Sequence, residues 1–139
     1  MDQRMLEIRS YSGPGYKPLI DFEAWRVALL NDDPEKYRRE KVHYLERHNE
    51  TDEVFALLKG CCTLYIGGCG DVPQGIESVA MEQGKLYNVK KGVWHTLTGD
   101  EDMVLLIVEN ANTSSENSQH YDISLDMLPP AQAKGEGLV

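Results

Sequence analysis

What most constrains this chain is its punctuation. Between Val42 and Glu109 a glycine or a cluster of polar turn residues falls about every ten residues, and no stretch between them holds a helical period. The intervening pieces are Val42–His48, Glu53–Lys59, Thr63–Ile66, Ile76–Met81, Lys85–Val89, Val93–Thr98 and Met103–Glu109, short and rich in β-branched, aromatic or aliphatic residues. A series of that kind folds as an antiparallel sandwich or barrel, so the chain is expected to be all-β. The almost unbroken apolar run of Met103–Glu109 suits a strand buried on both faces.

The flanks carry weaker signals. Leu6–Arg9 alternates like a short strand, Ser12-Gly13-Pro14-Gly15 forces a turn, and Pro18 limits regular pairing. Asp21–Leu30 sets Trp25, Val27 and Leu29 on one side and reads as a strand, with a helix as the alternative. Asn110–Ser118 has loop composition, and Tyr121–Leu128 reads as a last strand or a helical turn. From Pro129 to Val139 the chain has the composition of a flexible tail. Nothing marks a domain boundary or an internal repeat, so residues 1–139 are read as one domain.

The formal net charge of −9 leaves no basic face to neutralise phosphates, which excludes nucleic acid and anionic membranes as expected partners. No apolar run approaches the roughly 20 residues of a membrane helix. The first residues lack the basic and apolar segments of a secretion signal, so the expected location is the cytoplasm. Of three cysteines, Cys61 and Cys62 are adjacent and Cys69 has no metal-ligand spacing, so all are read as reduced and structural.

Polar residues then fall where a barrel interior would receive them. On a strand over Val42–His48, side chains two apart share a face, so Tyr44, Glu46 and His48 point one way and His43, Leu45 and Arg47 the other. Glu53 opens the next strand, and an ionised glutamate facing a barrel interior must be paired or coordinated. His95 lies far along the chain on another strand. Phe55 shares the face of Glu53, whereas Trp94 faces opposite to His95 and suits packing outside the barrel, at a dimer contact. His43 and His120 read as surface or locally bonded residues. Arg26, Arg47 and Lys85 are cations able to hold an anionic ligand, but no spacing selects among them.

These residues resemble the cupin family. Its first motif has two histidines one residue apart, a glutamate four or five residues on and a glycine after six more. Here Glu46-x-His48 is followed by Glu53 and Gly60 at those intervals. Its second motif has glycine, five residues, Pro-x-Gly, two residues, histidine, three residues and asparagine. Here Gly84, Lys90-Lys91-Gly92, His95 and Gly99 stand at those positions, with the motif core spanning about 42–109. Glu46 replaces the first histidine, Lys90 the proline and Gly99 the asparagine.

The resemblance implies a double-stranded β-helix, that is, a cupin-type jelly-roll barrel, and a divalent metal held by His48, Glu53 and His95 with Glu46 fourth. Two imidazoles with one or two carboxylates fit Fe, Mn, Zn, Co or Ni. Glu46 could instead act catalytically, as a general base. The expected function is a small metalloenzyme of isomerase, lyase or oxygenase type acting on a hydroxylated or carboxylated molecule. The alternative is a non-catalytic module that holds a sugar derivative at a degenerate metal site. A homodimer is expected, paired through the outer face that carries Glu53–Lys59 and Met103–Glu109.

Overall fold

The computed structural model describes residues 2–131. Two five-stranded antiparallel sheets face each other. In chain order the strands are β1 (Gly15–Phe22), β2 (Trp25–Asn31), β3 (Tyr44–His48), β4 (Glu53–Lys59), β5 (Cys62–Ile66), β6 (Glu77–Ala80), β7 (Leu86–Val89), β8 (His95–Gly99), β9 (Val104–Asn110) and β10 (Ser118–Asp122). The first sheet runs β1-β2-β9-β4-β7 and the second β10-β3-β8-β5-β6. Chain neighbours such as β3 and β4 therefore lie in different sheets, as in a jelly roll.

The turn chemistry explains most of this order. Gly60 (φ 75°) and Gly92 (φ 80°) adopt the left-handed region that side-chain-bearing residues avoid, at the turns after β4 and before β8. The core between the sheets is built from alternate residues: Ala28 and Leu30 of β2, Phe55 and Leu57 of β4, Leu97 of β8, Leu105 and Ile107 of β9. Burying each of the Leu, Ile and Phe side chains among these stabilises the fold by roughly 1.5–3 kcal/mol.

Four local expectations change. Residues 6–10 form no strand; no strand among the described residues pairs with them, and Met5, Leu6 and Ile8 are exposed. The stretch Asp21–Leu30 divides at Glu23, whose φ of 50° turns the chain between β1 and β2. Pro18 does not prevent β1 because β1 is an edge strand, where a missing N–H is tolerated, and a register shift follows between Pro18 and Ile20. Lastly, β9 alternates: Leu105 and Ile107 are buried, while Val104, Leu106 and Val108 lie half-buried on the outer face of the first sheet.

The outer face of the second sheet is covered by the chain itself. Leu45, Tyr65, Trp94 and Leu128 form a second cluster, with Val42, Ile76, Tyr121 and Ile123 around it. Trp94 is thus buried within its own chain, contrary to the expected dimer contact. Its Nε1 donates to the Gly70 carbonyl at 2.9 Å and the Arg47 guanidinium stacks over its ring at 4.4 Å. Arg39 donates to the carbonyls of Leu128 and Pro129, and Ser78 to that of Pro130, so the first residues of the expected tail are tied down. The rest of that tail, 132–139, lies outside the described residues.

Candidate metal and ligand-binding site

Along four strands the inward-facing row turns from apolar to polar at the same end of the barrel. Phe55 gives way to Glu53, Leu97 to His95, Ile107 to Glu109 and Ala28 to Arg26, each two residues apart and so on one face. The period of two thus builds an apolar floor and a polar pocket from the same strands. The pocket has a volume of ≈ 480 Å³, room for a ligand of sugar or nucleoside size.

Glu53 is its hub. One of its oxygens, Oε1, lies 3.1 Å from His48 Nε2 and 3.0 Å from His95 Nε2. The far nitrogens are also fixed: His48 Nδ1 lies 2.8 Å from Ser118 Oγ, and His95 Nδ1 lies 2.9 Å from the Val93 carbonyl. That last contact decides a proton. A carbonyl only accepts, so His95 Nδ1 must donate, and neutral His95 would then present the lone pair of Nε2 to a carboxylate oxygen. The contact is stable only with a proton between the two atoms, or with a metal ion in its place. Burial opposes charge on all three groups. The Glu53–imidazole bonds outweigh it, raising both histidine pKa values and lowering that of Glu53.

Glu46 stands at the mouth. Its Oε1 is 3.9 Å from His48 Nε2, and its Oε2 accepts from His120 Nε2 at 3.3 Å. His120 in turn stacks on Tyr44, with ring centroids 4.2 Å apart. Ligand atoms of Glu46, His48 and His95 lie within 4.8 Å of one another, as do those of His48, Glu53 and Glu109. This His/Glu group could hold a metal ion. The donor set fits one: imidazole nitrogens and carboxylate oxygens converge, with the outer nitrogens of both rings already bonded as metal-binding histidines require.

The structure therefore brings together all four residues singled out in the sequence, Glu46, His48, Glu53 and His95. Tyr44 and Phe55 line the same pocket. Arg47 and Lys85 do not; Arg47 lies over Trp94 and Lys85 pairs with Glu82. Sequence reasoning missed Glu109 and Tyr16 and gave Arg26 no preference. The Tyr16 hydroxyl donates to Glu109 Oε1 at 2.6 Å and Arg26 Nη2 donates to the same oxygen at 2.9 Å. Burial raises the Glu109 pKa, as does the nearby Glu53 charge, against the hydrogen bonds from Tyr16 and Arg26. The missed signal was present: Glu109 is the lone carboxylate at the parity of Leu105 and Ile107.

Two antiparallel sheets around a His/Glu pocket, with both glycine-bounded motifs in place, define a cupin-type jelly-roll barrel. Solved structures share that fold at low sequence identity. A cupin-2 domain protein from Shewanella frigidimarina is 20% identical, with a TM-score of 0.50 over 72% of this chain and 84% of its own. The Streptomyces protein PAC13, solved with uridine, is 12% identical, with a TM-score of 0.58 over 86% and 89%. CapF, solved with the inhibitor 3-isopropenyl-tropolone, is 15% identical, with a TM-score of 0.59 over 79% of this chain. The chain spans 33% of the length of CapF. No protein-family model matches the chain, and no curated protein matches it by sequence.

Proposed function

We propose that the protein binds a divalent transition metal ion (Fe, Mn, Zn, Co or Ni) through His48, Glu53 and His95, with Glu46 as fourth ligand or general base. In this reading the pocket holds a small hydroxylated or carboxylated molecule and the protein is an enzyme of isomerase or lyase type. One observation carries the reading: His95 Nδ1 is committed to the Val93 carbonyl while Nε2 converges with His48 Nε2 on a single oxygen of Glu53. Binding of uridine by PAC13, described as a nucleoside dehydratase, supports a small polar ligand in a barrel of this shape.

When bound, such an ion supplies Lewis-acid polarisation of a substrate oxygen. The chain supplies the rest. Glu46 is half-exposed at the mouth, placed to accept a proton from a substrate carbon or hydroxyl. His120 donates to the other oxygen of Glu46 and steers the carboxylate, whose proton leaves directly to solvent at the mouth. The Tyr44–His120 stack gives the ligand a flat wall, and Phe55 closes the floor against His95 with ring centroids 6.1 Å apart.

Elemental analysis of untagged protein tests this, expecting about one equivalent of a transition metal after loading and dialysis. Less than about a tenth of an equivalent, unchanged by added Fe, Mn, Zn, Co or Ni, would overturn it. A second reading, a binding module without an ion, is favoured by the ability of two protonated histidines to satisfy Glu53 by themselves. It predicts the metal-free result together with ligand affinity that falls in His48→Ala and His95→Ala.

A further inference from the structure

We infer that Glu109 is also a ligand of the ion, the residue that makes the donor set rich in carboxylate and suits it to Mn(II) or Fe(II). This rests on the metal-binding reading above and extends it to a strand that neither glycine-bounded motif contains.

The Glu109 side chain is 3% exposed, and its Oε2 is buried without a hydrogen-bond partner among the described residues. Its other oxygen is crowded. Oε1 accepts from the Tyr16 hydroxyl at 2.6 Å and from Arg26 Nη2 and Nε at 2.9 and 3.3 Å. An arginine that serves only to neutralise a buried carboxylate commonly engages both oxygens, fork to fork. Here Arg26 places both N–H groups on one oxygen and turns its remaining donors to the carbonyls of Ala111 and Thr113. The carboxylate is held in place with one oxygen left bare.

A bare, buried carboxylate oxygen is costly and marks a missing partner. The surroundings identify that partner as a cation. A carboxylate oxygen of Glu109 lies within 4.8 Å of ligand atoms of both His48 and Glu53. Ligands at about 2.0–2.2 Å from one ion lie at most about 4.4 Å apart across it, so only a small closing of these side chains brings all three onto one ion. Charge agrees: Glu46, Glu53 and Glu109 around a divalent ion leave one negative charge, which Arg26 offsets. With Glu109 beside Glu53, the buried donors include two carboxylates, and each added carboxylate favours Mn(II) or Fe(II) over a softer choice.

The test is Mn(II) titration of the full chain, followed by electron paramagnetic resonance and by water-proton relaxivity. Wild type should bind Mn(II). Glu109→Gln keeps the volume and an acceptor for Tyr16 but should lower Mn(II) affinity at least about tenfold. It should also raise relaxivity per bound ion, because water takes the vacated position. Tyr16→Phe removes only the hydroxyl that steers the carboxylate, and should lower affinity by a smaller factor with relaxivity unchanged. A folded Glu109→Gln variant with wild-type affinity and relaxivity overturns the inference and leaves the metal-binding reading intact. So does wild-type affinity in Tyr16→Phe, should Glu109→Gln fail to fold. Wild type that binds Zn(II) but not Mn(II) has the same consequence. Failure of wild type to bind any of the five metals overturns both.

Discussion

His95 is held between an acceptor that requires a proton on Nδ1 and a carboxylate that requires a cation at Nε2. In metal-free protein that cation is a proton, and the same holds at the Nε2 of His48. Both imidazoles have pKa values above the ordinary 6.5, and Glu53 is below 4.5. The histidine contribution to stability is full below pH 6.5 and is lost as pH rises through the raised folded values. The Glu53 contribution is present above pH 4.5 and is lost only as pH falls through its lowered value. Metal-free protein should therefore be most stable between these limits, and its Tm should decline as pH rises through the raised histidine values, by about 3 °C per kcal/mol lost. With saturating Mn(II) the decline should vanish, since the ion replaces the protons. Thermal melts in a chelator and in Mn(II) compare the two, and a Tm in chelator that stays flat above neutral pH would count against the protonated network. At this scale Glu46, His48, Glu53 and His95 were legible because their intervals carry the motif. Glu109 was overlooked because it ends an apolar run read as buried on both faces, and its partners Tyr16 and Arg26 are more than eighty residues away in sequence.

Among the elements, β4 and the turn after it show why glycine spacing is informative. Gly60 has φ 75°, and a Cβ there would lie 2.5 Å from the Asp102 carbonyl carbon and 2.6 Å from Met103 N. Gly60→Ala therefore combines left-handed strain with a backbone clash and should destabilise by about 2 kcal/mol or more. Gly84 (φ 87°) would meet nothing within 4 Å, so Gly84→Ala should show strain alone, about 1 kcal/mol. Urea denaturation of the two variants separates these costs, and equal losses would mean the close approach at Gly60 is slack. Strands β3 to β9 were readable for the same reason: each lies between turns whose backbone demands particular residues. The β1–β2 hairpin was not, because Pro18 reads as a stop wherever the strand's place in the sheet is unknown. An edge position tolerates it, and edge positions are set by the whole sheet rather than by the local sequence.

In the whole molecule the two sheets differ on their outer faces. The second is covered by the segment around Tyr121, Ile123 and Leu128. The first exposes Trp25 and Leu86, 44% and 76% accessible, beside half-buried Val27, Leu29, Val54, Leu106 and Val108. A homodimer through the first sheet is our proposal for that apolar surface. Sedimentation at about micromolar concentration should give roughly twice the 15.7 kDa chain mass, and Trp25→Glu with Leu86→Glu should return it to 15.7 kDa. A wild-type sample that sediments only as the single chain would remove the proposal.

The covered face bears on the order of any such assembly. A protomer with one adhesive surface has a valence of one, so pairing through it ends at two copies. Were Leu45, Tyr65 and Trp94 laid bare, each copy would offer two surfaces on opposite sides, and pairing at both would string copies into an open array. In such a dimer, Leu128 folded over its own sheet would leave no second apolar face for a third copy.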